Sequence, residues 1–309
     1  MKIFCGNSNP KLAREIAGNL GIPLGDICLT RFPDGETSVQ ILENIRGKDV
    51  FIVQSTCSPP NENLMELLIV IDAMRRASAS RITAVIPYYG YARQDRKDQP
   101  RVPISAKLVA NLLVAAGTDR LLTMDLHAQQ IQGFFDIPVD HLYAAPVVVS
   151  YLRKMKLQDV VAVAPDPGGM KMAYAYSRML DSRLAIVAKQ RKGPSEVEAH
   201  GVVGEVKGCT AVLLDDLITT GGTLCAAAAI LKGAGALDIY AAATHGIFAP
   251  GSAERFENSE IKEIVVTDTV PLPDCMAGAP VRVLGVAGLL AEAIKRIHNN
   301  QSVSSLFGI

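Results

Sequence analysis

No CxxC pair occurs in this chain of 309 residues, although six cysteines are present. Cys5, Cys28, Cys57, Cys209, Cys225 and Cys275 lie scattered without metal-type spacing, which excludes a zinc knuckle and suits a reduced cytosolic setting. A basic segment followed by an apolar stretch is missing from the start, MKIFCGNSNPKLA. Apolar runs such as LLIVIDAM meet charge too soon to span a bilayer. A cytoplasmic protein with no membrane insertion is therefore expected. Net charge is lacking too: 31 basic residues balance 31 acidic ones. No global field draws nucleic acid or an anionic membrane, so small ligands caught locally are the expected partners. Neither GxxxxGK[ST] nor GxGxxG occurs, which removes the usual nucleoside triphosphate loop and the dinucleotide fingerprint.

What is present is the composition of a compact protein, 49% hydrophobic and 20% charged. The length exceeds one comfortable core, and two domains of about 150 residues are expected. Short β-branched runs alternate with helical patterns: DVFIVQS, then NLMELLIVIDAMRRA, then RITAVIPY. Further apolar runs lie at 120–125, 160–164, 184–188, 210–214, 239–243 and 264–267. This alternation predicts an α/β chain with mostly parallel sheets flanked by helices. Arg75 to Gly90, RRASASRITAVIPYYG, can be laid on Leu231 to Gly246, LKGAGALDIYAAATHG. Either one α/β unit is present twice, joined near Pro146, or the match is the chance likeness common among such segments.

The chemistry concentrates in GCTAVLLDDLITTGGTLCAAAAILKGAGA. An apolar strand leads to two aspartates, a Thr/Gly loop and an alanine-rich helix, and ligands bind outside the carboxyl ends of parallel strands. Gly221 and Gly222 let backbone N–H groups approach an anion, and Thr219, Thr220 and Thr223 add hydroxyl donors. A phosphate monoester fits such a cradle. Asp215 and Asp216 repel each other unless a cation or a polyol sits between them, and ribose hydroxyls would answer that need. The plainer alternative is that both aspartates cap the following turn.

DDLITTGGT resembles the ribose-phosphate signature shared by phosphoribosyltransferases and ribose-phosphate pyrophosphokinases. FPDGE at 32–36, PYYGYARQDRK at 87–97, MDLHAQQIQGFF at 124–135 and the terminal LLAEAIKRIHNNQSVSSLF extend the likeness over the whole chain. All of these segments are similar to class I ribose-phosphate pyrophosphokinases. That resemblance implies two phosphoribosyltransferase-like domains, 1–146 with the ATP motifs and 147–309 with the ribose 5-phosphate loop and a catalytic flexible loop. It implies pyrophosphoryl transfer from ATP to ribose 5-phosphate, feeding nucleotide, histidine and tryptophan biosynthesis.

By the same resemblance, Arg93, Gln94 and Asp95 bind ATP, joined by Asp34, Gly35 and Glu36 from a neighbouring subunit. His127 and Asp166 hold Mg2+. Lys189 and Arg191 are catalytic, Arg191 also touching the sugar phosphate, and Asp215, Asp216 and the 219–223 loop bind ribose 5-phosphate. A homo-oligomer, a hexamer of dimers, follows. Each segment alone has a plainer reading: a β-turn for PDGE, a solvated loop for YARQDRK, a structural histidine for His127. The segment KQRKGPSEVEAHG, 189–201, has little that is apolar to pack and reads as a mobile loop. The chain departs from the common family pattern at Gln190, usually arginine, at Thr219, often aspartate, and in the short stretch 97–102. Two alternatives remain open on sequence: a phosphoribosyltransferase that spends the activated sugar, and a non-catalytic regulatory subunit of the same fold.

Overall fold

The computed structural model describes residues 1–190 and 199–306. Two compact units emerge. The first comprises Met1–Tyr143, Thr269–Pro271 and Gly285–Ile309, and the second Ala144–Asp268 and Leu272–Leu284.

The first unit runs β1 (Lys2–Cys5), α1 (Pro10–Leu20), β2 (Ile27–Arg31), β3 (Thr37–Ile41), β4 (Asp49–Val53), α2 (Pro60–Arg76), β5 (Arg81–Ile86), α3 (Ser105–Ala116), β6 (Arg120–Met124) and β7 (Val139–Leu142). Strands β1, β4, β5, β6 and β7 form one parallel sheet in that order, and β2 and β3 form a separate antiparallel hairpin. After Asp49, the run VFIV is apolar throughout because both faces of β4 are covered. Val50 and Ile52 pack with Leu67, Ile71 and Met74 of α2 and with Val109 and Leu113 of α3. The pleat sends Phe51 and Val53 to the other face, where both are buried. The apolar residues of α2 recur at 64, 67, 70, 71 and 74, the spacing of one helical stripe.

The second unit continues with α4 (Ala145–Lys154), β8 (Val160–Ala164), α5 (Met170–Leu180), β9 (Arg183–Gln190), β10 (Ala199–Val203), β11 (Thr210–Ile218), α6 (Gly222–Gly233), β12 (Asp238–Gly246), α7 (Ser252–Glu257), β13 (Glu263–Thr267) and β14 (Val281–Leu284). Its seven strands lie in the order β10-β9-β8-β11-β12-β13-β14, parallel except for the β9–β10 hairpin. Alternate residues of β8 and β11 serve opposite cores. Val161, Val163, Ala211 and Leu213 pack with α6, while Ala162, Ala164, Val212 and Leu214 pack with α4 and α5. The two echoed segments each end a β-α-β unit of parallel neighbours, β4-α2-β5 and β11-α6-β12.

Two expectations differ from the structure. The final stretch does not stay with residues 147–284: α8 (Ala287–His298) belongs to the first unit, where it packs on α1. Amphipathic spacing buries Leu290, Ile294 and Ile297, and a charged contact locks its end. Arg81 Nε donates to Asp49 Oδ1 at 2.8 Å, its Nη2 donates to the Ile297 carbonyl at 3.1 Å, and His298 Nδ1 lies 2.6 Å from Asp49 Oδ2. The segment 189–201 read as a loop is described only at its ends, which are strand, while residues 191–198 lie outside the described residues. Lys189 and Gln190 end β9 and pair with His200 and Ala199 of β10.

Burial alone would raise the Asp49 pKa, but hydrogen bonds from Arg81 and His298 outweigh it and leave it lowered. A carboxyl depressed on folding contributes stability above its unfolded pKa of about 4, and that contribution is lost as pH falls through the folded value. Arg81→Met is expected to cost about 1–3 kcal/mol at pH 7, the scale of hydrogen bonds to a charged group. Urea midpoints at pH 7 and near pH 4 check this, with the smaller loss at the lower pH.

Candidate active site

The order in which strands are added to the sheet reverses between the parallel neighbours β8 and β11: successive strands step outward from β8 through β9 to β10, and the other way from β11 to β14. Loops at such a reversal diverge and leave a crevice at the carboxyl ends, the usual ligand site of an open α/β sheet. Asp166 follows β8, and the 215–223 segment closes β11. The position a Cβ would take on Gly169 lies 3.6 Å from the Leu214 carbonyl, so the two loops are neighbours.

The acidic pair is set deeper than its motif suggests. Strand β11 continues to Ile218, with Asp215 opposite Ala243 and Leu217 opposite His245 of β12. Asp215 accepts from the Asp216 N–H at 2.9 Å through its own Oδ1. Desolvation pushes its pKa well above the ordinary carboxylate range. The charge of Asp216 and a side-chain hydrogen bond with it add to the rise, and the charge of Asp166 adds further. A cation or a pair of donating hydroxyls between these acids relieves the crowding.

Beyond the acids the backbone forms the cradle. Gly221 has φ +75°, a left-handed conformation in which any Cβ is strained, and a Cβ there would also sit 2.4 Å from the Phe256 ring. From this turn α6 begins with no side chain capping it, which leaves the helix N-terminus for an outside anion. Thr220 and Thr223 are exposed and Thr219 half-buried at the rim. Gly222 N–H donates weakly to Thr220 Oγ1 at 3.4 Å.

Asp166 is exposed and caps the next turn, its Oδ1 accepting from the Gly168 and Gly169 N–H groups at 2.7 and 3.1 Å. Lys189 lies on β9, whose neighbour β8 borders the crevice. Arg191 lies outside the described residues.

In the first unit, Asp34, Gly35 and Glu36 make the exposed tip of the β2–β3 hairpin, closed by hydrogen bonds from Phe32 N–H to the Glu36 carbonyl and from Gly35 N–H to the Phe32 carbonyl. Arg93 and Gln94 are exposed on the loop after β5. The Gln94 carbonyl accepts from Ala106 N–H at 3.1 Å and its side-chain oxygen accepts from the Ser105 hydroxyl, so this glutamine also fastens the start of α3. Asp95 accepts from Gln130 Nε2 at 3.0 Å, which brings the ARQD loop beside the segment after β6. His127 is exposed on that segment. Its turn is set by Asp125 at φ +38° and by buried His141, whose Nε2 accepts the Leu126 N–H at 2.9 Å.

Residues 1–117 match the model of the N-terminal domain of ribose phosphate pyrophosphokinase, and residues 194–308 match the phosphoribosyl synthetase-associated domain. A ribose-phosphate pyrophosphokinase from Burkholderia pseudomallei is 53% identical over 309 residues, covering 99% of this chain and 97% of that protein. Its counterpart from Caldanaerobacter subterraneus is 54% identical over 308 residues, covering 99% and 98%. The chain belongs to the ribose-phosphate pyrophosphokinase family. The crystal structure of phosphoribosylpyrophosphate synthetase from Mycobacterium smegmatis superposes with a TM-score of 0.91 at 41% identity, covering 97% of this chain and 99% of that one. An enzyme of this family therefore carries the cradle, and its PDGE, ARQD and DLH segments lie on loops of the first unit.

Since Asp215 has its pKa raised on folding, its ionisation opposes folding. The penalty is nil below the unfolded carboxylate pKa of about 4 and grows as pH rises toward the folded value. Asp215→Asn is expected to raise the thermal midpoint of the unliganded protein by several degrees at pH 8 and to leave it unchanged near pH 4. Scanning calorimetry at the two pH values checks both the sign and the window.

Proposed function

We propose that this chain is a ribose-phosphate diphosphokinase, transferring the β,γ-pyrophosphoryl group of ATP to the anomeric hydroxyl of ribose 5-phosphate. The observation that carries the reading is the crevice between β8 and β11, where an uncapped helix start stands beside an acid pair whose buried member, Asp215, has its pKa raised. Such a site suits a ligand with a phosphate at one end and hydroxyls at the other. The 5-phosphate takes the N–H groups around Gly221–Thr223 and the threonine hydroxyls, while ribose hydroxyls donate to Asp215 and Asp216. The anomeric hydroxyl is then left unengaged by the cradle and serves as the acceptor.

In the transfer, that oxygen bonds to the β-phosphorus as the bond from the β-phosphorus to the α,β-bridging oxygen breaks. AMP leaves and the hydroxyl proton is released. Positioning and charge neutralisation supply most of the rate in such steps. By family resemblance, Lys189 and Arg191 neutralise the moving group, and Arg93, Gln94 and Asp95 hold ATP. The exposed hairpin tip at Asp34, Gly35 and Glu36 suits a loop that completes the ATP site of a neighbouring copy, and a homo-oligomer, a hexamer of dimers, is part of the proposal.

Among the described residues no three His, Cys, Asp or Glu side chains form a group able to hold a metal. Magnesium is accordingly proposed to arrive on the ATP phosphates and to keep several waters. The donors fit: Asp166 has only one oxygen engaged by the backbone, and His127 is exposed on its turn. When bound, the ion neutralises negative charge on the triphosphate. A cytoplasmic location belongs to the same proposal, and no helix of the described residues is long and apolar enough to cross a membrane.

Incubation with ATP, Mg2+ and ribose 5-phosphate is expected to yield AMP and 5-phosphoribosyl 1-pyrophosphate in equal amounts, measured by ion-exchange chromatography. Absence of both products from folded protein supplied with inorganic phosphate sinks the proposal. Lys189→Ala is expected to lower turnover by two or more orders of magnitude, the scale of one lost donor at developing charge, while ATP affinity stays within a few-fold. Loss of affinity with turnover retained would make Lys189 a docking residue instead.

A further inference from the structure

The main-chain carbonyls that follow the acid pair are held from behind by one short stretch of chain. The Ile218 carbonyl accepts from the Ile247 N–H at 2.9 Å and from the Phe248 N–H at 3.2 Å, and the Thr219 carbonyl accepts from the Ala249 N–H at 2.8 Å. Ser252, only 1% exposed, places its hydroxyl 3.0 Å from the same Thr219 carbonyl and 2.5 Å from the Ala249 carbonyl, so its one proton is shared and ties the two carbonyls together. Arg255 Nη1 donates to the Thr220 carbonyl at 2.6 Å. Phe256, also 1% exposed, fills the space where Gly221 lacks a Cβ. Four successive cradle residues are thus each gripped by the segment 247–256, and Phe248, packed edge-on against Phe256 with ring centroids 6.2 Å apart, itself holds a left-handed φ of +46°.

The loop has reason to need this support. Its amide groups must already face an incoming phosphate, since donors that reorganise on binding lose much of their advantage. A Thr/Gly sequence resists collapse poorly, because glycine has more backbone freedom to lose than any other residue. Carbonyls held from behind orient the N–H groups of the same peptide planes and their neighbours toward the crevice. The grip reaches the backbone rather than the side chain of Thr219, so the main-chain donors persist whichever residue stands at that position.

We infer that Ser252 and Arg255 are positioning residues for the ribose 5-phosphate loop, acting through the Thr219 and Thr220 carbonyls. The inference rests on the proposed function for the identity of the sugar phosphate. Arg255→Ala is expected to raise KM for ribose 5-phosphate by about tenfold, the equivalent of one charge-assisted hydrogen bond, with kcat and KM for ATP within about threefold of the parent. Ser252→Ala, a smaller change that keeps the fold, is expected to shift the same KM about threefold. Hydrogen exchange of the unliganded protein supplies a reading that requires no sugar: amides at 219–224 exchange faster in both variants, while those of β8 stay unchanged.

Unaltered exchange at 219–224 in both variants overturns the inference. So does a raised KM with unaltered exchange, which would make Arg255 a direct phosphate ligand. Failure of the parent protein to take up ribose 5-phosphate removes the proposed function instead, and the exchange experiment still decides the buttress.

Discussion

Parallel pairing of β11 with β8 on one side and β12 on the other governs what happens at the ligand end of the second unit. The register sets Leu213 against Val163 and carries β11 and β12 onward together through Leu217 and His245 after β8 has ended. Asp166 therefore leaves the sheet early and Asp215 stays within it, yet both acids reach the same end. A shift of one residue in this register would turn Asp215 to the other face and dismantle the site.

The price of that arrangement is charge crowding. The charges of Asp216 and Asp166 both bear on Asp215, and its burial magnifies the repulsion. Groups that oppose folding and yet are needed by a ligand are typical of functional sites. The cradle shows the complementary strategy: its glycines give up conformational freedom, and a second stretch of chain around α7 holds their carbonyls in place. A crowded acidic centre is thus joined to a backbone loop that is already built.

The first unit uses simpler means to present its loops. An all-parallel sheet covered on both faces projects the ARQD loop from β5 and the DLH turn from β6, and a hydrogen bond from Gln130 to Asp95 ties them together. The β2–β3 hairpin stands outside that sheet, with its PDGE tip exposed. The final helix is recruited into the unit by its apolar stripe and by the contact of Arg81 and His298 with Asp49, so the chain closes on the unit with which it began.

Much of this was legible in the amino-acid order. The apolar runs at 160–164, 210–214, 239–243 and 264–267 all lie in strands, because residues buried on both faces of a parallel sheet leave an unbroken apolar signature. The DDLITTGGT motif marked the candidate cradle, since it sets paired acids and a Thr/Gly turn directly after an apolar strand. Long-range matters needed the tertiary structure. Nothing in the spacing of Ser252 and Arg255 links them to Thr219 and Thr220, more than 30 residues away, since hydrogen bonds to backbone carbonyls leave no mark on the sequence of the residues that receive them. Nor does an amphipathic stripe at 287–298 say which core it will enter. Local chemistry determined what the loops can bind, and packing alone decided which distant side chains hold them in shape.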